Sequence, residues 1–263
     1  MAFSFPVTRP SAVSARRRSS PLDPRRWLRH ASRLLLAPRC LVCAARGQAD
    51  LDLCADCVAA LPWNHDVCRQ CALPLEGGAA RCGHCVFRPP PWALAQSALR
   101  YAFPVDRLLP RFKFHGDLAA GEALATLLQW SLDPAESPDA LVPVPLHWRR
   151  GWSRRYNQSG ALARVIARQT GVKVAGDALR RVRPTQQQIG LSRSQRASNV
   201  QGAFKVAAER AAEVQGRRLI LIDDVLTSGA TTDACARALL RAKAASVDVL
   251  VFARVVDTFK API

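Results

Sequence analysis

A chain of 263 residues, 49% of them apolar, holds one full domain and a smaller module. No apolar run approaches the roughly 20 residues of a membrane-spanning helix, which excludes stable membrane insertion. The formal charge of +18 admits polyphosphates, nucleic acid and acidic surfaces as partners and says nothing of the fold.

Residues 1–33 form a basic tail. Nine arginines and one acid, Asp23, fall within residues 1–39. A disordered arm and an organelle transit peptide share this Arg- and Ser-rich, acid-poor composition. Trp27–Leu36 has the spacing of a short amphipathic helix. A cysteine module follows, spanning residues 34–88. Eight of the nine cysteines pair as Cys40/Cys43, Cys54/Cys57, Cys68/Cys71 and Cys82/Cys85, with ten residues between successive pairs. One Cys-x-x-Cys turn offers two thiolates to a zinc ion, and two turns complete a tetrahedron. Eight ligands therefore make two closed, structural zinc sites. Sequential pairing (40, 43, 54, 57, then 68, 71, 82, 85) is preferred over a cross-braced arrangement. His65 and His84 are bystanders, since the cysteines already fill both sites. Reduced, metal-binding cysteines fit a cytoplasmic location.

Arg88–Pro91 reads as a stiff linker. On that reading, zinc removal melts residues 40–85 and leaves the rest folded. Beyond the linker, strands alternate with helices over 92–258. Strands are predicted at Gln96–Tyr101, Ala140–Val144, Leu179–Val182, Arg218–Ile222 and Ser246–Phe252. Helices are predicted at Asp106–Lys113, Asp117–Trp130, Asn157–Thr170 (stopped by Gly171) and Thr231–Ala242, with Cys235 as a core thiol. Arg183–Gly202 is predicted as a long polar loop. The alternation implies an α/β domain with a mostly parallel sheet, whose ligands sit beyond the carboxyl ends of the strands.

The densest chemistry lies at Arg218–Thr232. Four apolar residues make a buried strand, and Asp223 and Asp224 close it. Val225 and Leu226 lead into a turn of Thr227, Ser228, Gly229, Ala230 and Thr231, and a helix follows. Such a turn aims backbone N–H groups and hydroxyls at one anion, aided by the helix N-terminus. Two adjacent carboxylates repel a bare phosphate but accept from vicinal hydroxyls or hold a hydrated Mg²⁺. A ligand with a phosphate on one side and a diol on the other is a ribose 5-phosphate.

Leu219-Ile-Leu-Ile-Asp-Asp-Val-Leu-Thr-Ser-Gly-Ala-Thr231 resembles the phosphoribosyl pyrophosphate (PRPP) signature of type I phosphoribosyltransferases. Together with the double zinc ribbon, it is similar to the competence protein F (ComF) family over roughly Leu34–Thr258. The resemblance implies the type I phosphoribosyltransferase fold with a small hood. It implies that Asp223 and Asp224 are the catalytic, ribose-binding acids, with Mg²⁺ accompanying PRPP, and that Thr227–Thr231 hold the 5-phosphate. Val142-Pro-Val-Pro-Leu146 with Arg149, Arg150, Arg154 and Arg155 resembles the family's pyrophosphate loop, Pro145 among its residues. Guanidinium groups suit pyrophosphate through bidentate hydrogen bonds. Thr185, Gln186, Arg196 and Asn199 lie in a segment that resembles its long flexible loop. Thr227 stands where relatives acting on 6-oxopurines carry an acid, so hypoxanthine and guanine are excluded as substrates. The activity implied is transfer of a pentosyl group.

Competence relatives also imply a role in DNA uptake and natural transformation, with single-stranded DNA and the uptake machinery as partners. Residues 140–208 hold thirteen Lys and Arg against one acid, Asp177. Trp148, Trp152 and Tyr156 interleave with them, as in a groove that stacks bases and tracks a backbone. A non-catalytic nucleic-acid-binding protein, its zinc ribbons serving as a docking module, is the competing expectation.

Overall fold

The computed structural model describes residues 38–48, 51–115, 117–129, 138–146, 157–185 and 190–256. The basic tail and Trp27–Leu36 lie outside them. The chain divides into two compact units between Ala60 and Leu61, so the four cysteine pairs are shared two and two.

The two cysteine ribbons are built alike. In the first, Cys40 N donates to Ala45 O at 2.7 Å and Ala44 N to Cys40 O at 2.8 Å. Ala44 takes a left-handed φ of 62°. In the second, Cys68 N donates to Leu73 O and Ala72 N to Cys68 O, both at 2.8 Å, and Ala72 has φ 53°. The second pair of each ribbon opens a short helix, α1 (Ala55–Ala59) or α2 (Gly83–Phe87), with Cys54 or Cys82 at its N-cap. The chain thus repeats one small unit, whose tight turns aim thiols at a common point.

Beyond them the second unit alternates strand and helix. Its elements are β1 (Ala95–Arg100), α3 (Val105–His115), α4 (Leu118–Gln129), β2 (Ala140–Pro143), α5 (Gln158–Thr170), β3 (Lys173–Val174), β4 (Leu179–Arg181), α6 (Arg193–Val200), β5 (Phe204–Val206), β6 (Arg218–Leu226), α7 (Ala230–Arg241) and β7 (Ser246–Arg254). A 3₁₀ turn covers Ala208–Glu213. Five strands form a parallel sheet in the order β1-β7-β6-β2-β3. β4 and β5 pair antiparallel as a separate two-stranded piece, the small hood of the expected fold.

Buried β-branched and leucine side chains explain the central strands: Leu219–Ile222 of β6 and Val249–Ala253 of β7 are buried throughout. Near-continuous apolar runs are what a sheet covered on both faces requires. α5 starts at an Asn157 cap and stops at Gly171, whose φ of 79° is the left-handed helix stop that glycine adopts without strain. It buries Leu162, Ala163 and Ile166. α3 and α4 meet closely: a β-carbon at Gly121 would stand 2.5 Å from the Phe112 ring. The outer edge of β1 is covered by residues 62–64, through Arg100 N to Pro62 O at 2.8 Å and Asn64 N to Ala98 O at 3.2 Å.

Two expectations are corrected. The stretch 183–202 is not wholly loop. Ser192 and Gln195 form a capping box that starts α6, and Val200 and Ala203 anchor its end in the core. β6 also runs past Ile222 to Leu226, because β7 continues to pair with it there.

Candidate functional site

The site is made by one strand outrunning its neighbour. β2 pairs with β6 only as far as Pro143 beside Ile222. A last bond, Val144 N to Ile222 O at 2.9 Å, closes that ladder. β7 carries on with β6 through Leu226. Asp223 and Asp224 therefore stand where β6 is paired on its β7 side but not, among the described residues, on its β2 side, toward the carboxyl end of a parallel strand, where ligands of such sheets bind.

Asp223 Oδ1 accepts from Ser159 Oγ at 3.1 Å and from the Asp224 N–H at 2.9 Å. Burial, then repulsion from Asp224, pushes the Asp223 carboxyl up to about 7, against the Asp224 N–H, Lys113 and Ser159, which favour its ionised form. Lys113 Nζ meets Asp224 Oδ2 at 2.8 Å, both side chains 18% exposed. The first turn of α5 organises this corner. Asn157 Nδ2 donates to Val144 O at 3.2 Å, and Gln158 Nε2 donates to Lys113 O at 3.2 Å. The carboxylates are thus held by the ends of β6, α3 and α5 together.

Lys113 and Ser159 were not singled out by sequence. A signal did exist for Lys113: Val105, Leu109 and Lys113 follow each other at i, i+4, i+8, placing a cation on the apolar stripe of α3. Lys113→Met is expected to destabilise the protein by about 2 kcal/mol, since it strands Asp224 in a half-buried place. Thermal unfolding at pH 7 checks this; a wild-type melting temperature would show the pair contributes nothing.

The turn after β6 has groups that can cradle an anion. Gly229 takes φ 80° and caps α7 with no side-chain cap bond. Ser228 Oγ is buried and has no hydrogen-bond partner among the described residues. A buried hydroxyl left without a partner costs free energy that an incoming acceptor would recover. Thr227, Ala230 and Thr231 are partly buried around it, and Val225 pairs with Ala253.

The other expected site residues are placed as follows. Pro145 is partly buried just after β2. Arg149, Arg150, Arg154 and Arg155 lie outside the described residues, as do Trp148, Trp152, Tyr156 and Gln186. Thr185 Oγ1 accepts from Arg181. Arg196 Nε donates to Leu191 O at 2.9 Å, and Asn199 O accepts from Arg183 at 3.0 Å. These three therefore bond within their own segment and the neighbouring hood strand. No helix among the described residues is long and apolar enough to cross a membrane.

The cysteines gather in two sequential groups, Cys40, Cys43, Cys54 and Cys57, and Cys68, Cys71, Cys82 and Cys85, with all sulfurs of a group within 4.8 Å of one another. Cys43 and Cys54 Sγ are 3.6 Å apart, as are Cys71 and Cys82. Zn–S bonds of about 2.3 Å imply sulfur–sulfur edges of about 3.8 Å, so both groups fit a tetrahedral zinc ion. Burial raises the thiols, but for Cys40 backbone N–H groups outweigh it and bring that thiol down to about 6; Cys68 likewise falls to about 7. Burial and repulsion from Cys68 and Cys82 push Cys71 up to about 12. Each group thus ionises readily once and then resists, which is the electrostatic demand a divalent cation meets. The two structural zinc sites belong to these eight residues. Cys235 is a buried thiol of α7, outside both groups.

Residues 31–86 match the double zinc ribbon domain, and residues 157–260 match the phosphoribosyl transferase domain. The DNA utilization protein YhgH of Escherichia coli (strain K12) is 34% identical over 203 residues, 75% of this chain and 88% of that one. Competence protein F of Haemophilus influenzae is 31% identical over 228 residues, 82% of this chain and 96% of that one. Among solved structures, the glutamine PRPP amidotransferase of B. subtilis, complexed with ADP and GMP, aligns with a TM-score of 0.33 at 22% identity, over 49% of this chain and 25% of that one.

Proposed function

We propose, for a chain that belongs to the competence protein F family, that it binds a phosphoribosyl ligand, PRPP with Mg²⁺, beyond the end of β6, in the service of DNA uptake. The observation that carries this reading is the pairing of Asp223 and Asp224 with a turn whose buried Ser228 hydroxyl lacks a partner among the described residues. The carboxylates accept from the ribose hydroxyls. Thr227, Ser228, Gly229, Ala230 and Thr231 hold the 5-phosphate, and Pro145 with Arg149, Arg150, Arg154 and Arg155 takes the pyrophosphate. Mg²⁺, when bound with PRPP, neutralises pyrophosphate charge. The match of residues 157–260 to the phosphoribosyl transferase domain and the relatives named for competence and DNA utilization support the reading.

Lys113 has a defined part in it. With no ligand it balances Asp224. An arriving diol, together with Mg²⁺, would take over that carboxylate and free the lysine for pyrophosphate. The chemistry such a site serves is displacement of pyrophosphate from the sugar C1 carbon, with arginines stabilising the charge gathered on the leaving group. Calorimetric titration of Mg²⁺·PRPP into wild type and Asp223→Asn/Asp224→Asn tests the assignment. Heat from wild type alone is expected; equal heats from both would sink it.

Single-stranded DNA is the second ligand, favoured by the thirteen cations of residues 140–208 against the lone Asp177. DNA binding with a steep salt slope, kept in the double variant, would support a nucleic-acid groove separate from the carboxylates.

A further inference from the structure

The phosphate cradle rests on a part of the chain that the reading above does not use. Arg254 ends β7 and is 8% exposed, an arginine within the core. Its Nε donates to the Cys71 carbonyl at 2.8 Å. Its Nη1 lies 2.7 Å from Leu226 O and 2.6 Å from both Thr227 O and Val255 O. One guanidinium therefore grips a zinc-ligand residue at one end and the start of the cradle at the other.

Trp92, 5% exposed, repeats the link. Its indole N–H donates to the Gln70 carbonyl. The far edge of its ring would stand 3.4 Å from a β-carbon at Gly229, the residue that caps α7. Ala95 N donates to Arg69 O at 2.8 Å. Three successive carbonyls of the Cys68–Cys71 turn are thus taken by the sheet domain, and two of the three donors reach on to the cradle. Charge-assisted bonds of a buried guanidinium are strong and directional, so the acceptors must stay where they are. What keeps them there is the tight turn at Ala72 and the convergence of four thiolates.

Resting on the phosphoribosyl reading, we infer that the second cysteine cluster is the foundation of the phosphate cradle. Metal loading of Cys68, Cys71, Cys82 and Cys85 sets affinity for the phosphorylated ligand through Arg254 and Trp92, and loading of the first cluster does not. Arg254 and Trp92 are positioning residues here: they fix backbone atoms of the cradle and leave its anion-binding groups free.

The test uses the full zinc-loaded chain and two readouts. One is amide hydrogen exchange of residues 226–231, which needs no ligand. The other is Mg²⁺·PRPP affinity by calorimetry, with zinc content measured alongside. Cys82→Ser is expected to speed exchange across 226–231 and weaken PRPP by about tenfold or more, the effect of one lost charge-assisted bond. Cys43→Ser, in the other compact unit, is expected to do neither. Trp92→Phe keeps an aromatic ring and both zinc ions while removing the indole donor and the ring edge nearest Gly229, and should shift both readouts the same way by less. It also carries the test if Cys82→Ser does not fold. Arg254→Lys keeps the charge without the fork and should not restore wild-type exchange. Unchanged exchange in Trp92→Phe and Cys82→Ser, or equal acceleration by Cys43→Ser, overturns the coupling. Accelerated exchange in a chain whose wild type gives no PRPP heat supports the coupling and removes the phosphoribosyl reading instead.

Discussion

Asp223→Asn is expected to raise the melting temperature of the ligand-free protein at pH 8 by roughly 5 °C or more, while abolishing the binding of Mg²⁺·PRPP. The carboxyl has an ordinary value of 3.8 and is pushed up to about 7 in the fold, by burial first and by Asp224 second. The folded chain thus holds the proton more tightly than the unfolded chain. Between about pH 4 and pH 7 it binds more protons, so stability falls as pH rises through that window. The contribution is complete below the unfolded value and lost above about 7. At about 1.4 kcal/mol per unit, the strain relieved at pH 8 is on the order of 4 kcal/mol. Asparagine fits because Oδ1 can still accept from Ser159 Oγ and the Asp224 N–H. It leaves Lys113 and Asp224 as a balanced pair. Thermal unfolding of both proteins from pH 4.5 to 8.5 checks this. The gain should vanish toward the acid end. A variant that melts lower than wild type at pH 8 contradicts the account; a pH-independent gain would point to packing instead. A residue that destabilises its own fold is the pattern expected where a ligand supplies the missing balance.

Zinc removal should have a larger effect, and a broader one than the order of the sequence suggests. A chelator is expected to lower the melting temperature of the sheet-containing unit itself by more than about 10 °C. Cys68 and Cys85 are almost fully buried in that unit, at 0% and 1% exposure. Without a cation, burial and neighbouring thiolates drive Cys85 and Cys71 to protonate, and the cluster loses what binds its turns together. Ala95, Trp92 and Arg254 then lose the acceptors they hold. Zinc binding to small modules is worth roughly 10–16 kcal/mol, and a domain of this size loses about 2–4 °C per kcal/mol. Calorimetry with and without chelator, read beside amide exchange in β1 and β7, measures it. Melting confined to residues 40–85, with exchange in β1 and β7 unchanged, would restore the linker at Arg88–Pro91 as the true boundary.

Much of this was legible beforehand, for physical reasons. Cysteine spacing encodes the clusters because ligand geometry is local. β2, β6 and β7 declare themselves by apolar runs, and α5 by Asn157 and Gly171 at its ends. Asp223, Asp224 and the hydroxyls after them sit within nine residues, so chemistry and sequence coincide there. What escaped is set by tertiary partners. β3 and β5 are two and three residues long and exist only because β2 and β4 pair with them. α6 is nearly all polar and rests on its capping box. The hydrogen bonds of Trp92, Ser159 and Arg254 reach across 22, 64 and 183 residues of chain, and Lys113 meets Asp224 from another element, a reach no periodicity reports.

The position of β7 between β1 and β6 bears on how the protein is made. A ribosome releases β1 long before the strand that will flank it: the bond from Leu94 N to Asp248 Oδ1 spans 154 residues. Until β7 emerges, β1 lacks its parallel neighbour and the second cysteine turn lacks Arg254. Closure of such distant pairings is slow and leaves apolar strand edges exposed meanwhile. During synthesis the bonds that join the second cysteine turn to the turn after β6 are therefore completed by this late strand, and a nascent chain stopped short of Arg254 would lack them.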